Sequence, residues 1–350
     1  MPNLTTKPRI EYIDIIKGLC IFWVIWFHLP TWEIVRYPLH VPIFFFISGI
    51  FFKTYAPGEF FRKKINTLVI PLLFFYIATY LYSLSLYLFF STFSSNGEQT
   101  AFDFGSIFSI FHIFDTGEIK LNIPLWFIVV LLFFQTLLYA ITILFKSPVM
   151  QISACVVISL FLIWLPVMPS TIFGNLCLFI FYSSGFLFGK KLLHYIENRH
   201  FKDLSIFLFA SAAIWVVADW LAGFDEPEYQ SKALTYIAYF ALIFIIIVGF
   251  KYLSGFLPLN KLIFWGKNSY ILLGLHGCFL DLWSTVYTVV THQPISEIPA
   301  LFVLTATILS FYPLILLLNR YCPVLVGKKD LIKYKTAGRE ERPAVTTAAE

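Results

Sequence analysis

The first apolar stretch of the sequence contains the ionisable side chains of Asp14, Lys17 and His28, and each needs a physical reason to be tolerated there. Eleven residues separate Lys17 from His28. That is close to three turns of an α-helix, so both would project from one face, about 16 Å apart along the axis. Asp14 lies three residues before Lys17 and could pair with it. The spacing predicts one helical stripe with a cation near one end and an imidazole near the other.

This stripe suits the transfer of a group from an anionic donor, held by the cation, to an alcohol. Such a reaction needs a base that removes the hydroxyl proton, and histidine, with an ordinary pKa of about 6.5, suits that role at neutral pH. We therefore predict that His28 is the base, that Lys17 and Asp14 belong to the catalytic set, and that Lys17 meets a negatively charged donor. The alternative is structural: Lys17 extends to the lipid interface and His28 is an interfacial residue.

Composition decides where this chemistry takes place. Of 350 residues, 59% are hydrophobic, 13% are charged and 41 are phenylalanine. A soluble domain has about 25% charged residues, so this chain cannot coat a water-facing surface of its size. The composition excludes a soluble enzyme, a nucleic-acid binder and a disordered chain. The five cysteines form no C-x-x-C pair, and we expect neither a disulfide framework nor a metal site.

The fold class follows from the apolar segments, each long enough or nearly long enough to cross a bilayer as a helix. We predict an all-α polytopic membrane protein with about ten transmembrane helices. The predicted spans are residues 10–29, 38–52, 67–90, 124–145, 149–166, 171–189, 204–222, 233–250, 268–290 and 298–319.

The basic residues give the orientation. With ten spans, 21 of the 25 lysines and arginines fall in the segments on one side, three on the other, and Lys17 lies inside the first span. Because cytoplasmic segments carry the excess of basic residues, both termini are predicted to be cytoplasmic. The connections are too short for a separate catalytic domain. We expect one membrane-embedded domain over residues 1–326 and a polar, disordered tail over 327–350.

Six segments of the chain resemble motifs of the acyltransferase-3 family of integral membrane proteins. Residues 12–28 (YIDIIKGLCIFWVIWFH) are similar to its opening motif, a basic residue followed after ten residues by histidine, with Lys17 where many members have arginine. Residues 38–52 (PLHVPIFFFISGIFF) resemble the second helix of the branch related to fucose 4-O-acetylases. Weaker matches follow in the family's usual order: FFRKKINTLVIPLL at 60–73, PLWFIVVLL at 124–132, FYSSGFLFGKKL at 181–192 and WGKNSYILLGLHGCF at 265–279.

The resemblance extends from about residue 9 to residue 320. It implies ten spans, acyl-CoA as a co-substrate on the cytoplasmic side, no bound cofactor, and a carbohydrate acceptor. We expect no counterpart of the extra hydrolase-like domain that some members carry outside the membrane. His276 stands at a position that the family shares, which makes it a candidate site residue.

Other candidates have structural alternatives. Arg62, Lys63 and Lys64 could bind the phosphates of acyl-CoA, or serve only as a topology signal. Possible acceptor-binding or supporting residues are Glu33, His40, Ser48, Trp126 and His276. Ser48, beside Gly49, could instead permit close helix packing, and Trp126 could belong to the interfacial belt of aromatic residues.

The sequence therefore predicts a multi-pass acyltransferase of the plasma membrane, the inner membrane in a bacterium. It would transfer an acetyl group from acetyl-CoA to a hydroxyl of a cell-surface polysaccharide or lipid-linked glycan. Succinyl transfer and glycan export are the alternatives. An exporter would have polar residues spread over several spans and paired half-helices, whereas the ionisable residues here concentrate in the first helix. A scaffold for polysaccharide assembly would leave the Lys17–His28 stripe unexplained.

Overall fold

A computed structural model describes residues 10–29, 39–90, 102–165, 170–222 and 229–333. Within these ranges the chain is 81% helical and contains no strand, which confirms the predicted all-α class. The α-helices are α1 (Glu11–Phe27), α2 (His40–Ile50), α3 (Pro57–Lys64), α4 (Ile70–Phe90), α5 (Trp126–Leu144), α6 (Pro148–Trp164), α7 (Phe179–Ser184), α8 (Lys190–Glu197), α9 (Phe201–Ala222), α10 (Tyr229–Leu253), α11 (Asn260–Lys267), α12 (Ser269–Thr291) and α13 (Glu297–Tyr321).

Each of the ten predicted spans overlaps one of these helices, and several of the helices extend a few residues beyond the span. Within the described ranges, six helical stretches are long and apolar enough to cross a membrane by themselves. The number of spans, ten, and the cytoplasmic position of the termini stay predictions, and residues 1–9 and 334–350 lie outside the described part. The six stretches are Pro57–Leu88, Ile123–Leu144, Phe173–Glu197, Phe201–Ala218, Ala233–Leu253 and Glu297–Tyr321.

Large apolar side chains cover much of the outer surface of the bundle. Phe209 and Trp220 of α9 are 77% and 79% exposed, and Ile298 of α13 is 81% exposed. Contiguous apolar surface of this kind is rare on soluble monomers, whereas hydrocarbon chains solvate it without cost. The surface thus agrees with a protein that lies within a bilayer.

The helix of the third predicted span begins earlier than residue 67. Helices α3 and α4 are joined without a break by a π-helical turn over Ile65–Val69, so Arg62, Lys63 and Lys64 lie on a helix and not in a loop. Pro71 lies just beyond the turn, after Ile70. A proline clashes with the carbonyl four residues before it, and the wider π-turn accommodates that break in the hydrogen-bond ladder.

Glycines allow two pairs of helices to touch through their backbones. A Cβ at Gly18 of α1 would overlap the carbonyl of Leu262 in α11, and a Cβ at Gly266 of α11 would overlap the carbonyl of Asp14. In the same way, Gly49 of α2 faces the carbonyl of Tyr182 in α7. The Ser48-Gly49 pair therefore lies at a close crossing, as small residues between membrane helices commonly do.

Helix α12 is held against α4 and against the turn that precedes α5. The buried Asn122 donates from its amide nitrogen to Oγ1 of Thr79 in α4, at 2.7 Å, and to the carbonyl of Gly274 in α12, at 2.8 Å. A short 3₁₀-helix over Ile123–Leu125 then leads directly into α5. One buried amide thus fixes the turn before α5 and helix α12, which both line the cavity described below, relative to each other and to α4.

Residues 322–333, which we call the C-terminal strap, fold back onto the bundle after α13. The backbone N–H groups of Leu331 and Ile332 donate to Oδ1 of Asn66, at 3.1 and 3.0 Å, and the amide nitrogen of Asn66 donates to the carbonyl of Ile332 at 3.1 Å. The domain boundary predicted after residue 326 falls inside this strap. Residues 327–333, expected to begin a disordered tail, make these contacts because the amide of Asn66 pairs with their backbone.

Candidate functional site

One face of α1 lines a cavity of about 160 Å³ inside the bundle. The lining residues are Lys17, Ile21, Val24 and His28, and the intervals of four, three and four residues place them on one helical face. The structure therefore places Lys17 and His28 at the same cavity, as their eleven-residue spacing predicts.

Three further elements complete the wall of the cavity. Helix α2 faces α1 and contributes the predicted candidates His40 and Ser48. Helix α5, with the turn before it, contributes Trp126. Helix α12 supplies a third wall, whose residues were not predicted from the sequence. The residues are His40, Val41, Phe44 and Ser48 of α2, Pro124, Trp126, Phe127 and Leu131 of the turn and α5, and Ser269, Tyr270 and Leu273 of α12.

The end of α1 determines which nitrogen of His28 can act as a base. The backbone N–H of His28 bonds to the carbonyl of Ile25, at 3.3 Å, so the last turn is tightened and the carbonyl of Val24 is left to other donors. Nδ1 of His28 lies 2.7 Å from that carbonyl oxygen. A carbonyl can only accept, so we assign the ring proton to Nδ1. Nε2 then carries the lone pair that can take a proton.

His276 of α12 lies directly beside His28. The two ring centroids are 4.9 Å apart and the rings meet edge to face, at 68°. Nδ1 of the fully buried His276 lies 3.1 and 3.0 Å from the carbonyls of Leu272 and Leu273, which fixes that ring on its own helix. Within the described part of the chain, its Nε2 is buried without a hydrogen-bond partner.

His40 occupies the same end of the cavity. It opens α2, is 4% exposed, and its ring centroid lies 5.8 Å from that of Phe27 and 6.5 Å from that of Trp23. No hydrogen bond reaches its Nδ1 from any described residue. Three imidazoles, those of His28, His40 and His276, are thus gathered around one end of the cavity.

Lys17 marks the opposite end. Its ammonium nitrogen lies 5.7 Å from the centroid of the Phe51 ring, within the range of a cation–π contact. Asp14, one turn earlier, is buried at 2% exposure, with its carbonyl against Gly266 of α11. The proposed pairing of the Asp14 and Lys17 side chains remains a prediction.

Arg62, Lys63 and Lys64 do not line the cavity. Nζ of Lys63 lies 3.1 Å from Oε1 of Glu59 and 3.7 Å from the centroid of the Tyr55 ring, while Lys64 lies 5.1 Å from that of Phe60. These cations are held at the surface of α3. Any contact with a donor at this helix would be made outside the cavity.

The remaining predicted residues divide into two groups. Ser48 and Trp126 line the cavity, whereas Glu33 lies outside the described residues. Sequence reasoning missed Ser269, Tyr270 and Phe44. A signal for the α12 wall was present, because Ser269, Leu273 and His276 recur at intervals of four and three residues, the same pattern as on α1.

Across the described ranges, no group of three or more His, Cys, Asp or Glu residues is placed to hold a metal ion.

Comparison with known proteins gives one family. The acyltransferase-3 model, described as an acyltransferase domain, matches residues 10–317, which include every wall of the cavity. No curated protein and no solved structure matches the chain.

Proposed function

The chain belongs to the acyltransferase-3 family, and from that premise we propose that it is an O-acetyltransferase of the plasma membrane that uses acetyl-CoA. The acceptor would be a hydroxyl of a cell-surface polysaccharide or of a lipid-linked glycan. The single observation that carries the proposal is the cavity that contains Lys17 at one end and His28 at the other.

The proposed reaction is a direct acyl transfer. The oxygen of the acceptor hydroxyl attacks the carbonyl carbon of the thioester while its proton passes to Nε2 of His28. The C–S bond then breaks, and the CoA thiolate leaves and takes up the proton from the imidazolium. The hydrogen bond from Nδ1 to the carbonyl of Val24 orients the ring for both proton transfers.

In this proposal the donor binds at the Lys17 end of the cavity and the acceptor binds at the end where the three histidines lie. Lys17 would attract the negatively charged donor, whose thioester arm extends along the stripe towards His28. His40, together with Trp126, would contact the acceptor, since imidazoles and tryptophan rings bind and stack on sugars through polar edges and apolar faces. Ser48 lies on the wall between the two ends.

Chemical analysis of cell-surface glycans from a deletion strain tests this function against export. An acyltransferase predicts that the glycan reaches the surface without its ester groups, and that the wild-type gene restores them. An exporter predicts that the glycan itself is missing from the surface. Mass spectrometry of the restored ester also distinguishes acetyl from succinyl.

A further inference from the structure

The C-terminal strap is fixed to the bundle by two asparagine side chains. Asn66, in the π-helical turn directly after Arg62, Lys63 and Lys64, holds Leu331 and Ile332 through the three hydrogen bonds given above. Asn66 is 1% exposed, so its amide is shielded from solvent on the bundle side of the pairing. The strap therefore passes directly beside the basic end of α3.

Its other attachment lies at the cavity. Nζ of Lys328 donates to Oδ1 of Asn268, which also accepts from Nδ2 of Asn319 at 2.9 Å. Asn268 immediately precedes Ser269 and Tyr270, two residues of the cavity wall. This is the end that contains Lys17, since Gly266 of α11 lies against the backbone of Asp14 and Gly18.

The strap thus connects the basic helix α3 with the Lys17 end of the cavity, and it carries more cations. Lys328, Lys329 and Lys333 are exposed, with Asp330 as the single acidic residue among them. A topology signal would explain basic residues here, but such a signal needs only charge and no defined geometry. Two asparagines that bind the strap at separate points give these cations fixed positions.

We propose that Lys328, Lys329 and Lys333 of the strap bind the phosphate groups at the nucleotide end of a coenzyme-A thioester, together with Arg62 to Lys64. This inference rests on the proposed acyl-CoA dependence. The strap is bonded to Asn66, just after Arg62 to Lys64, and to Asn268, just before the wall residues Ser269 and Tyr270, so a donor whose phosphates bind the strap can extend its thioester arm past Lys17. Lysine ammonium groups are common partners of phosphate oxygens and bind them through charge-assisted hydrogen bonds.

The test compares two donors and one binding probe in the full-length protein. Acetyl-CoA carries the phosphates, S-acetylpantetheine lacks them, and adenosine 3′,5′-bisphosphate carries phosphates without an acyl group. For the triple change Lys328→Ala, Lys329→Ala and Lys333→Ala, we expect the preference for acetyl-CoA over S-acetylpantetheine to fall about tenfold or more. Binding of the bisphosphate should weaken by a similar factor, and its salt dependence should become shallower. Asn66→Ala removes one of the two attachments of the strap and leaves its lysines intact. It should lower the donor preference and weaken bisphosphate binding, as the triple change does.

Lys202→Ala, an exposed lysine of α9, is the matched control and should change neither quantity. An unchanged donor preference and unchanged bisphosphate binding in the triple variant would overturn the role of the strap while leaving acyl transfer intact. If the wild-type protein transfers acetyl from neither donor, the proposed function itself has failed. Loss of bisphosphate binding in the triple variant would then still show a phosphate site at the strap.

Discussion

The imidazole of His276 packs edge to face against that of His28, with the ring centroids 4.9 Å apart. His276 is fully buried and is fixed by its own helix, whereas His28 lies at the exposed end of α1. The rigid ring of His276 thus packs against the ring of His28, which also contacts the ring of Phe27 at 5.8 Å between centroids. We infer that His276 holds His28 in the orientation that acyl transfer requires.

His276→Ala should therefore lower kcat by about ten- to a hundredfold, because misplacement of a catalytic group by about 1 Å can cost that much. KM for the donor should change little. His276→Phe preserves an aromatic ring beside His28 and should recover most of the lost rate. His292→Asn, at the exposed end of the same helix, is the control and should behave as wild type. A His276→Phe protein as impaired as His276→Ala would show that the nitrogens, and not the ring contact, carry the effect.

The second prediction concerns Lys17. If its ammonium attracts the donor, Lys17→Ala should raise KM for acetyl-CoA about tenfold. Lys17→Arg should keep much of the activity, since arginine also supplies a fixed positive charge. Steady-state kinetics with varied acetyl-CoA give both values.

The double change Asp14→Asn with Lys17→Met separates donor binding from structural support of the buried Asp14. A stably folded double variant that has lost activity supports donor binding. Restored activity in this variant would mean that Lys17 serves only to make a buried carboxylate tolerable.

The third prediction concerns the crossing of α1 and α11. Gly18→Ala should destabilise the protein by about 1–3 kcal/mol, because the added Cβ overlaps the carbonyl of Leu262 and the helices must separate. The melting temperature of the purified protein should fall accordingly. Gly277→Ala in α12 is the control, since a Cβ there meets no atom within 4 Å and alanine favours a helix. Equal melting temperatures for the two variants would contradict the close crossing.

The fourth prediction concerns orientation. In a protein without its five free cysteines, Thr116→Cys should react with an impermeant thiol reagent added from outside, and Gly58→Cys should not. Both positions are exposed, so access to the thiol is determined by the side of the membrane. Asn66 is unsuitable as an inner probe because it is buried beneath the strap. Labelling at Gly58→Cys alone would reverse the orientation and place the donor on the other side.

The sequence was sufficient to predict the α1 stripe, because helical periodicity alone places Lys17 and His28 on one face. It also predicted His40, Ser48 and Trp126 as candidates, and all three line the cavity. The contact of His276 with His28 depends on how α12 packs beside α1, which no local pattern specifies. The strap was predicted to begin a disordered tail because its composition is polar and aperiodic. Its order comes from Asn66, more than 260 residues earlier in the chain.

The rate of acetyl transfer by His28→Gln, measured on purified protein in lipid nanodiscs, tests the central claim most directly. Wild type and variant should show the same melting temperature and the same binding of adenosine 3′,5′-bisphosphate. The side chain of His28 is exposed, and it lies about 16 Å along α1 from Lys17, at the other end of the cavity. Loss of the general base should lower the rate by about 10²- to 10⁴-fold. Transfer at a rate close to that of wild type, by a His28→Gln protein that folds and binds normally, would contradict the account.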